Sequence, residues 1–180
     1  MSTLFVNNLN TASGTDITVP TGKKLVVTDT GGLQVPGTVV QMVSLSDTTL
    51  TRAASTSTSF VASNITNTIT PKFSNSKIIA RVATTINNNT NNAEFIAITM
   101  YRSIGGGSFT NIRSSDWGIS QAYSAQSRIQ VPCIAEVVDA PSTTSAVTYT
   151  LYYRSHNGNT VEVPATTTEH CEMTLMEIAQ

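Results

Sequence analysis

Charge is scarce in this sequence. Charged residues make up 12% of 180, ten basic against eleven acidic, for a net charge of −1, where a soluble domain ordinarily carries about 25%. Long helical windows rich in Glu, Lys, Ala and Leu are missing with it. No basic face is available for phosphate backbones, so nucleic acid is not an expected partner. Long apolar runs are absent too, and no stretch approaches a bilayer span, so no membrane insertion is expected. The opening MSTLFVNNLN has neither a basic leader nor a long apolar run, which predicts no signal peptide. The expectation is a chain made and folded in a cytosol. Cysteine and histidine are limited to two each. Cys133 and Cys171 lie in strand-like patterns and read as small buried hydrophobes; a disulfide between them requires that their strands be neighbours.

What fills the gap is Thr, Ser and Asn. Thr suits strands, and Ser and Asn suit turns. From Thr38 onward, strand patterns recur between polar turns. They fall at Val39–Leu45, Ser59–Ala62, Ile65–Thr70, Lys77–Thr84, Glu94–Arg102, Arg128–Val138, Val147–Ser155, Thr160–Val163 and Cys171–Ile178. Pro132 predicts a kink or bulge in the sixth. Asn157-Gly158-Asn159 and Gly105-Gly106-Gly107 read as hairpin turns. A helix over Leu50–Thr58 is disfavoured by its Ser and Thr content. Short strands at this spacing predict an all-β, jelly-roll-like β-sandwich head over 38–180.

The first 37 residues are organised differently. Ile17-x-Val19 returns as Leu25-x-Val27 and as Leu33-x-Val35, eight residues apart each time, with Leu9 in the same column one repeat earlier. Gly14 and Gly22 share a second column, and Pro20 and Pro36 a third. An apolar-x-apolar pair is a minimal strand with one buried face. Gly and Pro between pairs turn the chain. Each buried apolar side chain contributes about 1.5–3 kcal/mol. Ordering the backbone costs about 1–2 kcal/mol per residue over the whole repeat. One chain therefore cannot hold this element, and three copies around a threefold axis would supply the missing edges and apolar face. The expectation is a β-repeat stem or attachment segment over 1–37, with Leu9, Ile17, Val19, Leu25, Val27, Leu33 and Val35 as the core of a homotrimer.

Signals for chemistry are few. His156 and His170, with Cys171, lack further ligands at zinc spacing, so no metal and no cofactor is expected. Glu136 with Asp139, or Glu169 with Glu172, could be drawn as acid–base pairs, but they read as exposed carboxylates. No phosphate loop and no nucleophile elbow occurs. The chain reads as non-enzymatic. Binding is better motivated. Ser103–Gln126 is long and polar and holds Trp117 and Tyr123, with Asn111 and Arg113 nearby. Aromatic faces ringed by hydrogen-bonding groups suit a saccharide. The same Trp117 could instead anchor the core. Tyr101, Tyr152 and Tyr153 are expected within strands or at a subunit interface.

The motifs Gly14-Thr15-Asp16-Ile17-Thr18-Val19-Pro20-Thr21-Gly22-Lys23-Lys24-Leu25 and Pro36-Gly37-Thr38-Val39-Val40-Gln41 resemble the start of tail-fibre and appendage proteins of tailed bacteriophages, marine and cyanobacterial phages especially. Ile65–Pro71, Ser74–Ile79 and the closing Leu175–Ala179 are similar to segments of such fibre tips. The resemblance implies a homotrimeric fibre with a jelly-roll head, placed in a virion assembled in the host cytoplasm. It also implies docking to other virion proteins through the N-terminal segment and attachment to a host surface glycan. A capsid decoration protein or head fibre fits the same motifs. A cellular carbohydrate-binding adhesin head fits the composition alone.

Overall fold

The structure is a computed structural model, and it describes residues 18–47, 51–113, 115–164 and 170–180. Leu9 and Ile17 of the expected stem, and Glu169 of one carboxylate pair, lie outside them. Among the described residues there are eleven strands and no helix. The strands are β1 (Val39–Asp47), β2 (Ala53–Ser55), β3 (Val61–Ile69), β4 (Lys77–Asn88), β5 (Glu94–Ile104), β6 (Thr110–Asn111), β7 (Ser120–Ser124), β8 (Ile129–Asp139), β9 (Val147–Ser155), β10 (Val161–Val163) and β11 (Cys171–Ile178).

They form two antiparallel sheets. The first runs β1-β11-β4-β10-β2 with β8 on the other side of β4, and the second runs β3-β9-β5-β6 with β7 also on β5. Several short strands are interrupted longer ones. β11 pairs with residues 77–83 of β4 and β10 with residues 87–88. The two therefore lie end to end. β1 and β2 flank that pair in the same way, and β7 and β6 lie end to end along β5. Eight strand positions remain, ordered 1-8-3-6 in one sheet and 2-7-4-5 in the other. That is the order of a jelly roll, so the β-sandwich head expected over 38–180 is the fold observed.

The core lies between the sheets and follows strand alternation. β4 turns Ile78, Ala80, Val82 and Ile86 inward, β11 turns Met173 and Leu175, and β8 turns Ala135 and Val137. Ile96, Ile98 and Met100 of β5 and Tyr149, Leu151 and Tyr153 of β9 meet them from the second sheet. Cys133 and Cys171 also face this layer, on strands separated by β4, and no disulfide joins them. Burial pushes the Cys133 thiol above its ordinary range, against opposing hydrogen bonds from Ser120 and the Ile134 amide. It is held as a thiol, a poor nucleophile.

Two expectations are corrected, and three short strands went unread. Pro132 makes no bulge: its strand pairs with β4 from Ile78↔Asp139 to Asn88↔Ile129 without a register shift. β8 is an edge strand, so the missing amide costs no ladder bond. The two short strands expected over 59–70 are one strand, β3, with a register irregularity between Ala62 and Thr66. β2, β6 and β7 carry no apolar alternation long enough to announce them.

Among the described residues three glutamates are buried in this sandwich; two fasten loop backbone and the third gathers polar side chains. Glu177 accepts the amides of Lys72 (2.8 Å) and Phe73 (3.0 Å) and the Gln41 side chain (2.6 Å). Glu162 accepts Asn87 (2.6 Å) and Asn89 (2.9 Å) and pairs with Arg52 (3.2 Å). Glu94 gathers the turn after β9. Burial pushes Glu94 and Glu177 upward, but their hydrogen bonds outweigh it and both end below the ordinary value of 4.5. A depressed folded value means stabilisation that is complete above the unfolded value and lost as pH falls through the folded one. Acid titration followed by near-ultraviolet circular dichroism should therefore show a plateau above pH 4.5 and cooperative loss below it. A Glu94→Gln, Glu177→Gln chain should lose much of that acid sensitivity.

The segment before β1 contains no strand between residues 18 and 38. Three turns shape it, closed by Lys23 N to Pro20 O, Gly32 N to Asp29 O and Thr38 N to Val35 O. Gly22, Gly31 and Gly37 take φ of +77°, +83° and +84° in them, the conformation glycine allows without strain. Its apolar columns lie in water in the single chain, from 42% exposed at Val27 and Val35 to 70% at Leu25, with Val19 and Leu33 between.

Candidate functional site

The second sheet has an unusual outer face. Alternation on β5 sends Phe95, Ala97, Thr99 and Tyr101 outward, and β9 adds Tyr152 and Arg154. Seven aromatic side chains collect there: Phe60, Phe95, Tyr101, Phe109, Trp117, Tyr123 and Tyr152. In the core, by contrast, the aromatic residues are Tyr149 and Tyr153.

They form two clusters. In the first, Phe95 and Tyr123 are cross-strand partners stacked at 4.3 Å. Trp117 meets the edge of Phe95 at 5.4 Å and stacks on the His156 ring at 4.7 Å. Tyr123 is 53% exposed and Trp117 44%. In the second, Tyr101 and Tyr152 stack at 3.8 Å, with Phe109 and Phe60 at their margins. Burial first, and Tyr101 second, push the Tyr152 phenol above its ordinary range, so it stays an uncharged hydrogen-bonding group. Thr66–Thr150 and Thr68–Thr148 hydroxyl pairs, each 2.8 Å, continue the face with polar groups.

Trp117 reaches this face because the chain leaves the sheet between β6 and β7 and returns. Ile112 N donates to Met100 O and Ile119 N to Ile98 O at either end of the excursion. Gly118 presses onto β5 so closely that a Cβ there would lie 2.2 Å from Ile98 O, and its φ is +68°. Only glycine fits. Arg154 fastens the excursion from beneath. Its guanidinium donates to the Asp116 and Thr58 carbonyls and lies over the Phe60 ring at 5.3 Å. His156 is positioned by Glu94, whose carboxylate accepts the amides of His156 (2.7 Å), Asn157 (3.0 Å) and Asn159 (3.0 Å) and the Ser155 hydroxyl (2.9 Å).

The structure thus brings Trp117 and Tyr123 together through Phe95. Trp117 is not a core residue. Asn111 and Arg113 sit at the adjoining end of β6, with their groups engaged internally. Asn111 Oδ1 accepts Thr99 Oγ1 (3.2 Å) and Arg113 N (3.0 Å), and Arg113 donates to Val138 O (3.2 Å). Sequence reasoning missed Phe95, His156 and the second cluster. The available signal was the outward register of β5 and β9, which puts Phe95, Tyr101 and Tyr152 on one face. Tyr153 lies in the core.

Of the two carboxylate pairs, Glu136 and Asp139 can be placed, and they point to opposite faces of β8. Glu136 faces outward on β8, while Asp139 faces inward, held by Arg102 (2.7 Å) and Tyr149 (2.7 Å). Among the described residues no group of three His, Cys, Asp or Glu could hold a metal ion. The face is an aromatic surface, with Trp117 and Tyr123 partly open to water, suited to contact with a ligand.

No protein-family model matches the chain, and no curated protein matches it. Among solved structures it is similar to a chain of "Structure of infectious bursal disease virus Gx strain", with a TM-score of 0.33 and 8% identity. That match covers 77% of this chain and 42% of the other, so the chain spans less than half the length of that protein. A likeness this distant adds nothing to the fold derived above.

Proposed function

We propose that the chain is a non-enzymatic virion structural protein, a homotrimeric fibre or appendage of a tailed bacteriophage, whose jelly-roll head attaches to a saccharide on the host surface. The observation that carries the attachment role is the aromatic outer face of the second sheet. Exposed apolar patches on soluble domains mark contact sites. Aromatic rings offer a large, stiff area to the apolar face of a sugar ring, and the Tyr and Thr hydroxyls beside them can orient it. The stem supports the trimer, since Val19, Leu25, Val27, Leu33 and Val35 of its apolar columns are exposed in the single chain. The phage assignment rests on the motif resemblance at residues 14–41 and 65–79.

A glycan array probed with the full chain tests the attachment role. Binding to a subset of glycans is expected, and Trp117→Ala should weaken it about five- to tenfold, the effect of losing one exposed stacking contact worth on the order of 1–1.5 kcal/mol. The fold should survive, because Trp117 lies outside the core. Absence of any glycan binding, or binding unchanged by Trp117→Ala, would contradict the assignment.

A further inference from the structure

The outer face of the first sheet carries a different surface. The registers of β1, β11, β4 and β8 align Met42, Met176, Ile79 and Val138 in one row across the sheet. Met42 is 62% exposed and Val138 50%. Val39 and Ile178 form the next row toward the stem. On the other side the row is polar, with Arg81 opposite Glu136. Both are exposed, and neither belongs to an ion pair among the described residues. An apolar band one strand-row wide, crossing a whole sheet and open to water, is a contact surface.

We propose that this face is where the heads of further copies of the same chain pack, so that the first sheet turns toward the shared axis and the aromatic sheet turns away from it. The inference rests on the homotrimer proposed above and assigns its head contact. Two observations select a second copy as the occupant. The first is continuity with the stem. Gly37 N donates to Ala179 O (2.8 Å) and Ala179 N to Thr38 O (3.0 Å). These bonds clamp the end of the stem to the end of β11, beside Ile178 and Val39. Copies joined through Leu33 and Val35 are brought together at that end of the sheet. The second is charge. A symmetric assembly presents the same surface from each copy. Arg81 of one head makes no ion pair among the described residues, so it can engage Glu136 of the next as well as the Glu136 opposite it in its own chain.

Peroxide oxidation of the folded full chain, read residue by residue by mass spectrometry, tests this. Met42 is open to water in the single chain, whereas Met100 and Met173 are buried. If the face is covered, Met42 is oxidised several-fold more slowly in the assembled protein than in the denatured chain. In Val138→Lys that protection is lost. Should Val138→Lys fail to fold, the unsubstituted chain alone decides. An assembled trimer in which Met42 is oxidised as fast as in the denatured chain overturns the head contact and leaves the trimer standing. A stable monomer by light scattering overturns the trimer itself, and the head contact with it.

Discussion

Leu25→Asp should convert an assembled protein into single chains of 19.1 kDa while leaving the melting transition of the head in place. Leu25 is 70% exposed within one chain, so in a monomer a carboxylate there would be innocuous. In a stem built from several copies it occupies the apolar column of the middle repeat. An unpaired charge buried there costs several kcal/mol, and symmetry imposes that cost once per copy, with like charges facing one another. The substitution touches none of the core contacts between the two sheets. Light scattering reads the mass and a thermal melt reads the head. An unchanged mass together with an unchanged melt would remove Leu25 from any interface.

Glu94→Ala acts within one chain and is expected to be the most destabilising single substitution of a polar residue in the head. The carboxylate is completely buried. It accepts three backbone amides and a serine hydroxyl from residues 155–159. Removing it strands those donors at about 1–3 kcal/mol apiece when they stay dry. Some will rehydrate as the turn loosens, so a net loss of roughly 3–5 kcal/mol is expected. The denaturant midpoint should fall with little change in slope. The turn carrying His156 should loosen as well, which frees Trp117 from its stack and brightens or shifts its fluorescence. A loss below about 1 kcal/mol would mean that water already satisfies these donors in the native protein.

The parts of the fold that were legible in the sequence are those with period-two patterning. Val147–Ser155 and Cys171–Ile178 were readable to the residue, because each alternates against a sheet with one wet face. Thr110–Asn111 and Ser120–Ser124 were not. They are short, polar and held by pairing to β5 rather than by their own apolar faces. The aromatic site was half legible. Trp117 and Tyr123 stood out as aromatics in a polar stretch, but Phe95 and Tyr152 sit inside strongly apolar strands. Only the strand order shows which face they take. The buried glutamates were invisible, since nothing in the sequence distinguishes Glu94 from an exposed carboxylate before the turn that meets it is known.

The proposed working form of this chain is an assembly of three, stem to stem and head to head. Light scattering on the unsubstituted full chain at micromolar concentration measures that directly. The account predicts a single species of three times 19.1 kDa, roughly 57 kDa, that persists on dilution. A single stable species of 19.1 kDa would contradict it.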